Sequence, residues 1–86
     1  RSKPAPDCYL LAASRLGVAS ADCVVFEDSI NGLRSGRDSG SSVIGLATTN
    51  PREVVASLAD VVIPDFTVVT SPQWLADQLA AAHRQQ

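Results

Sequence analysis

Cys23-Val24-Val25-Phe26-Glu27-Asp28-Ser29-Ile30-Asn31-Gly32 decides how this chain folds. The apolar half is short, β-branched in the middle and free of polar interruptions, the pattern of a strand buried on both faces of a parallel sheet. At Glu27 the period changes. Ile30 and Leu33 fall at helical spacing, and Ser29 stands where an N-cap residue must accept from the first free N–H groups. In an open parallel sheet, ligands sit outside the carboxyl ends of the strands. Glu27 and Asp28 therefore mark the rim where such a sheet does its chemistry.

Upstream, Lys3-Pro4-Ala5-Pro6 is a stiff loop, because each proline fixes its own φ and drives the residue before it out of the helical region. Pro6 or Asp7 opens a helix with Tyr9, Ala12, Ala13 and Leu16 on its inner stripe, and Gly17 closes it. Downstream, a helix from about Ile30 to Ser39 carries Gly32 and Gly36, each costing about 1 kcal/mol against alanine. Four residues apart, they make a smooth stripe for close packing. No Gly-x-Gly-x-x-Gly accompanies them, so a phosphate cradle is not the reading. Gly40 ends this helix.

Val43 to Ala47 is a second strand, with Thr48-Thr49-Asn50 on the same rim as the acids. Asn50-Pro51-Arg52-Glu53 predicts a helix with Asn50 as N-cap and Glu53 closing a capping box, running to about Leu58 and burying Val54, Val55 and Leu58. Asp60 to Pro64 is a third strand, and Asp65 to Val69 a loop with a short edge pairing. Ser71-Pro72 starts a last helix with Leu75, Leu79 and Ala82 inward. Trp74 reads as a core or rim packer, and His83 as a solvated group. Helices alternating with strands over short connections predict an α/β fold: a Rossmann-like three-layer α/β/α parallel sheet with right-handed crossovers.

Eighty-six residues make one small domain. A net charge of −2 gives no electrostatic footprint for nucleic acid or an anionic membrane. No apolar run approaches the ~20 residues that span a bilayer. Cys8 and Cys23 are too few for a zinc framework, and a helix-borne and a strand-borne cysteine are not expected to pair. Buried thiols in a reducing, cytoplasmic compartment suit them. The opening Arg-Ser-Lys-Pro-Ala-Pro has the character of a protein interior, so residues 1–86 are expected to be a fragment of a longer chain.

Successive side chains of a strand point opposite ways, so only one of Glu27 and Asp28 aims into a rim site. Mg²⁺ takes few carboxylates, keeps waters and binds phosphate, which suits one direct carboxylate with a neighbour behind it. A rigidly held ammonium opposite would offset charge on a phosphate or on a nucleophilic carboxylate.

Lys3-Pro4-Ala5-Pro6-Asp7-Cys8-Tyr9, Val25-Phe26-Glu27-Asp28-Ser29-Ile30-Asn31-Gly32 and Gly40 together resemble the haloacid dehalogenase-like superfamily. The likeness runs from about Ser2 to Phe66. It is greatest to the sub-family of β-phosphoglucomutase, phosphoglycolate phosphatase and the sugar- and polyol-phosphate phosphatases. The lysine segment resembles that family's third motif and the acidic segment its fourth. The resemblance implies a Mg²⁺-dependent phosphohydrolase of small phosphorylated metabolites, working through an aspartyl-phosphate. Lys3 would steady the nucleophile and the phosphoryl group. Asp28 would hold Mg²⁺ and Glu27 would act beside it, while Ser29 and Asn31 would shape the loop.

The departures are specific. The first motif, Asp-x-Asp-Gly-Thr with the nucleophile, is not in these residues. Neither are the second motif and the helical cap. Ser2 replaces the usual glycine, and Ser41-Ser42 the usual apolar residue after Gly40, which is expected to loosen packing there. The 86 residues are therefore expected to be the C-terminal part of a core whose N-terminal half supplies the nucleophile, inactive alone and prone to self-association along an open strand edge. A phosphomutase and a non-catalytic interaction domain of the same fold are the alternatives.

Overall fold

A computed structural model describes Leu11 and residues 14–84 of the chain. Strands β1 (Val24–Glu27), β2 (Ser42–Leu46) and β3 (Val61–Ile63) pair in parallel in the order β1-β2-β3. The register sets Val25 beside Val43, Glu27 beside Gly45 and Leu46 beside Ile63. Helix α1 (Ile30–Asp38) joins β1 to β2, and α2 (Arg52–Ala56) joins β2 to β3. A 3-10 turn at Phe66–Val68 then leads to α3 (Pro72–Arg84). With strands in sequential order, crossovers of one hand lay α1 and α2 on the same face of the sheet. Helix α3 covers the other face, which completes the expected three layers.

Alternation along β2 divides the core. Val43 packs with Leu33 of α1 and Val55 of α2. Ile44 and Leu46 pack with Ile63, with Phe26, Trp74, Leu75 and Leu79 against them. Trp74 is thus a rim packer, as its setting in the sequence predicts. The stripe of small residues on α1 also does what its spacing predicts: a Cβ on Gly36 would lie 3.1 Å from Val25 and 3.3 Å from Val43. Helix and sheet meet there almost backbone to backbone. Ser29 caps α1 by accepting from the Gly32 N–H at 3.0 Å, and Gly40 leaves the helix at φ +83°.

Five local expectations are corrected. Strand β1 is not buried on both faces: Val25 is buried but Val24 is exposed, because the cluster on its face takes in Phe26 and does not extend to Val24. Leu16 is 76 % exposed, since no described core cluster reaches the last turn before Gly17. Asn50 does not cap α2. Pro51 holds that position without a side-chain bond, and the helix ends at Ala56 with Val54 exposed, five residues being too short to bury more than one stripe. Asp65 to Val69 forms no edge strand, because Asp65 accepts from the Thr67 N–H and winds the segment into a turn.

The fifth correction concerns Ser41, which does not loosen its surroundings. Ser20 donates to the Ser39 carbonyl at 2.6 Å, and Ser41 donates to the Ser20 carbonyl at 2.9 Å. The Ser39 and Ser41 hydroxyls share a further bond of 2.9 Å. Ser39 and Ser41 are both buried, and no buried side-chain polar atom among the described residues lacks a partner. A satisfied polar network of this kind fixes orientation where an apolar contact would fix only proximity.

Cys23 is a free thiol and half-buried. Cys8 and most of the first predicted helix lie outside the described residues. None of the described helices is long and apolar enough to cross a membrane.

Candidate functional site

The carboxyl ends of all three strands open on one rim, and each is followed by a residue able to bind a polar ligand: Asp28 after β1, Thr48 after β2, Asp65 after β3. Together with Phe26, Glu27, Leu46 and Phe66 these residues line a cleft of about 300 Å³. The rings of Phe26 and Phe66 lie 5.4 Å apart at 42°, a tilted aromatic pair that forms its apolar wall.

The two acids divide their work as the pleat requires. Glu27 is on the face of β1 that looks at α1, and its side chain folds over Gly32. A Cβ on Gly32 would stand 2.1 Å from the Glu27 Cδ, so only glycine leaves room for this carboxylate. Oε1 of Glu27 accepts from the Asp28 N–H at 3.2 Å, the Ser29 N–H at 3.5 Å and the Ser29 hydroxyl at 3.3 Å. Ser29 in turn accepts from Gly32. Glu27 therefore secures the turn on which Asp28 is carried.

Asp28 is half-buried at the rim. Its Oδ2 accepts from the Thr49 hydroxyl at 3.0 Å, and its backbone carbonyl accepts from the Asn50 side-chain amide at 3.0 Å. That second bond explains why Asn50 does not serve α2. Of the residues singled out in the sequence, Glu27, Asp28 and Ser29 are thus brought together in one turn. Asn31 is exposed in the first turn of α1. Lys3 lies outside the described residues.

Sequence reading placed Thr48-Thr49-Asn50 on the correct rim but gave Asn50 another task. It missed Asp65 and Phe66 as cleft residues. The available signal was position: both lie within three residues of the end of β3, and every strand of a parallel sheet ends on the same side. Oδ1 of Asp65 accepts from both the N–H and the hydroxyl of Thr67, and these two bonds hold its carboxyl below the usual value of 3.8. A depressed folded pKa stabilises the fold fully above the unfolded value and loses that contribution as pH falls through the folded one. The stability gap between the protein and Asp65→Ala is accordingly expected to be constant above about pH 5 and to close progressively below pH 3.8 in thermal melts.

The donor set suits a hard divalent cation in part. Asp28 presents carboxylate oxygen in a cleft, with a second carboxylate, Asp65, on the same lining. Among the described residues no three His, Cys, Asp or Glu groups gather to form a complete cage. One carboxylate with waters and a substrate phosphate is what Mg²⁺ accepts, so the site fits that ion better than a cage-bound metal such as structural Zn²⁺.

The chain is similar in sequence and fold to known proteins. The family description of haloacid dehalogenase-like hydrolases matches residues 1–40. The fold is similar to that of a haloacid dehalogenase hydrolase of family IA, variant 3, from Entamoeba histolytica, with a TM-score of 0.80 at 32 % identity over 93 % of this chain and 36 % of that one. Residues 1–40 carry the sequence of the haloacid dehalogenase-like hydrolases, and the fold is similar to that of a solved member. It is also similar to the bifunctional riboflavin kinase/FMN phosphatase of Arabidopsis thaliana, 33 % identical over 92 % of this chain and 23 % of that protein. A third likeness is to the Rhodobacter sphaeroides protein CbbY, solved in complex with xylulose-(1,5)bisphosphate, with a TM-score of 0.74 at 32 % identity over 85 % of this chain and 32 % of that one. The chain thus spans between about a quarter and a third of the length of these haloacid dehalogenase-like relatives.

Proposed function

We propose that this chain supplies the lysine and metal half of a Mg²⁺-dependent phosphohydrolase acting on small phosphorylated metabolites. The observation that carries this reading is the position of Asp28: a half-buried carboxylate, oriented by Thr49 and Asn50, at the rim of a parallel sheet of this family. The relatives support the substrate class, since one is named for FMN phosphatase activity and another was solved with a sugar bisphosphate. Asp28 is the residue that would hold Mg²⁺, with Glu27 fixing its turn. When bound, the ion would supply charge neutralisation at the transferring phosphoryl group. Lys3 would balance charge from the opposite side, and the nucleophilic aspartate would come from a segment preceding this one in the same protein. A cytoplasmic enzyme is the matching cellular reading.

A phosphatase screen of the full protein, with and without Mg²⁺, tests the proposal. Hydrolysis of sugar or polyol phosphates that requires Mg²⁺ and is lost in Lys3→Ala supports it. Unchanged turnover in that variant defeats the assignment of Lys3.

A second test separates stability from site geometry. Gly32→Ala adds a side chain where Glu27 now lies, and Glu27 is flexible enough to swing away. The helix gains about 1 kcal/mol in propensity while the Glu27 bonds are lost, so the melting temperature should change little. Activity should fall about tenfold, the low end for loss of an outer-shell contact. Wild-type kcat/KM in this variant would show that Glu27 does not secure Asp28.

A further inference from the structure

We propose that Thr49 is a positioning residue that restricts Asp28 to one-oxygen ligation and so biases the site toward Mg²⁺ over Ca²⁺; the inference rests on the proposed role of Asp28 in cation binding. Thr49 and Asn50 are consecutive residues of the loop after β2, more than twenty positions from Asp28 in sequence. One grips the Asp28 side chain and the other its backbone, each at 3.0 Å. Such a double grip fixes both the position and the rotation of the carboxylate. With Oδ2 engaged by the Thr49 hydroxyl, Oδ1 accepts no hydrogen bond among the described residues and is the oxygen left to a cation.

Coordination chemistry gives that arrangement a consequence. Mg²⁺ takes its oxygens singly at about 2.0–2.1 Å in near-ideal octahedral geometry, whereas Ca²⁺ is larger, takes more ligands and accepts both oxygens of one carboxylate. A hydroxyl donating to Oδ2 leaves Mg²⁺ binding intact and competes with two-oxygen Ca²⁺ binding. Removing the hydroxyl frees Oδ2 and lets the carboxylate rotate. A purely structural role for Thr49 would weaken both ions alike.

The test uses the full protein and Mn²⁺ as the probe, titrated by electron paramagnetic resonance with Mg²⁺ and Ca²⁺ as competitors and no substrate present. Thr49→Val keeps the shape and removes the donor; Thr49→Ser keeps the donor. We expect Thr49→Val to lower the Mg²⁺/Ca²⁺ affinity ratio about tenfold, with Thr49→Ser restoring it. An unchanged ratio in Thr49→Val, whether or not both affinities fall together, overturns the inference. Asp28→Asn serves as the reference. Mg²⁺ affinity that survives Asp28→Asn refutes the cation role of Asp28 itself, and the Thr49 inference falls with it. Mg²⁺ affinity lost in Asp28→Asn but a constant ratio in Thr49→Val refutes Thr49 alone.

Discussion

Gly45→Val is expected to destabilise the protein by about 3 kcal/mol, the upper part of the range for overpacking a filled core. Gly45 is buried in the middle of the sheet, between Glu27 of β1 and Val62 of β3. A Cβ there would lie 2.2 Å from Val55 Cγ1 and 3.0 Å from the Ala59 Cβ. Val55 is fully buried and β-branched, so it has no alternative rotamer to retreat into. The contrast with Gly32 is one of yield: there the obstruction is the end of a flexible side chain, here it is a locked one. Urea unfolding should show a midpoint shifted down with the slope preserved. Gly45→Ala should cost less. Combined with Val55→Ala, it should be less damaging than the two single losses added together, because the second change opens the space the first one needs. Wild-type stability in Gly45→Val would mean that α2 does not press on β2 as described.

Asp28→Asn is expected to lower phosphatase kcat/KM by a factor of about 10² or more, with little change in stability. The loss would follow from removing one negative charge from the proposed metal site, where charge stabilisation is worth several kcal/mol and each 1.36 kcal/mol is tenfold in rate. The amide oxygen still accepts from Thr49, and the backbone carbonyl still accepts from Asn50, so the turn survives. A fall in activity alongside a melting temperature within about 4 °C of the parent separates charge from folding. Retained activity would remove Asp28 from the reaction.

The central strand, the Ser29 cap and the glycine stripe of α1 were legible because each depends on local chemistry: period, a hydroxyl at one position, the absence of a Cβ. The rim was legible because a parallel sheet leaves its carboxyl ends on one side. What the sequence did not disclose were bonds spanning about twenty residues. Asn50 carries the local pattern of a helix cap, yet its amide is spent on the Asp28 carbonyl. Asp65 carries the pattern of a loop, yet it caps a turn at the cleft. For Asn50 a tertiary partner outcompeted a neighbour, and no short window along the chain contains that partner; Asp65 is held locally by Thr67, and only its place on the cleft depended on the tertiary fold. The exposure of Val24 is also set by the tertiary fold: burial of a strand residue depends on what packs over its face.

The serine network of Ser20, Ser39 and Ser41 bears on all of this from the far end of the sheet. Apolar patterning pins the sliding position of two parallel strands weakly, because runs such as Val24-Val25-Phe26 and Val43-Ile44 look alike when displaced by one residue. Ser20 precedes β1 and Ser41 precedes β2, and hydroxyl-to-carbonyl bonds between them tolerate no such slip. A slip by one would exchange which acid faces α1 and which reaches solvent. The choice of Asp28 over Glu27 at the mouth of the cleft is thereby made about 13 Å away, four residues of strand at about 3.3 Å each, by three small alcohols outside the cleft lining.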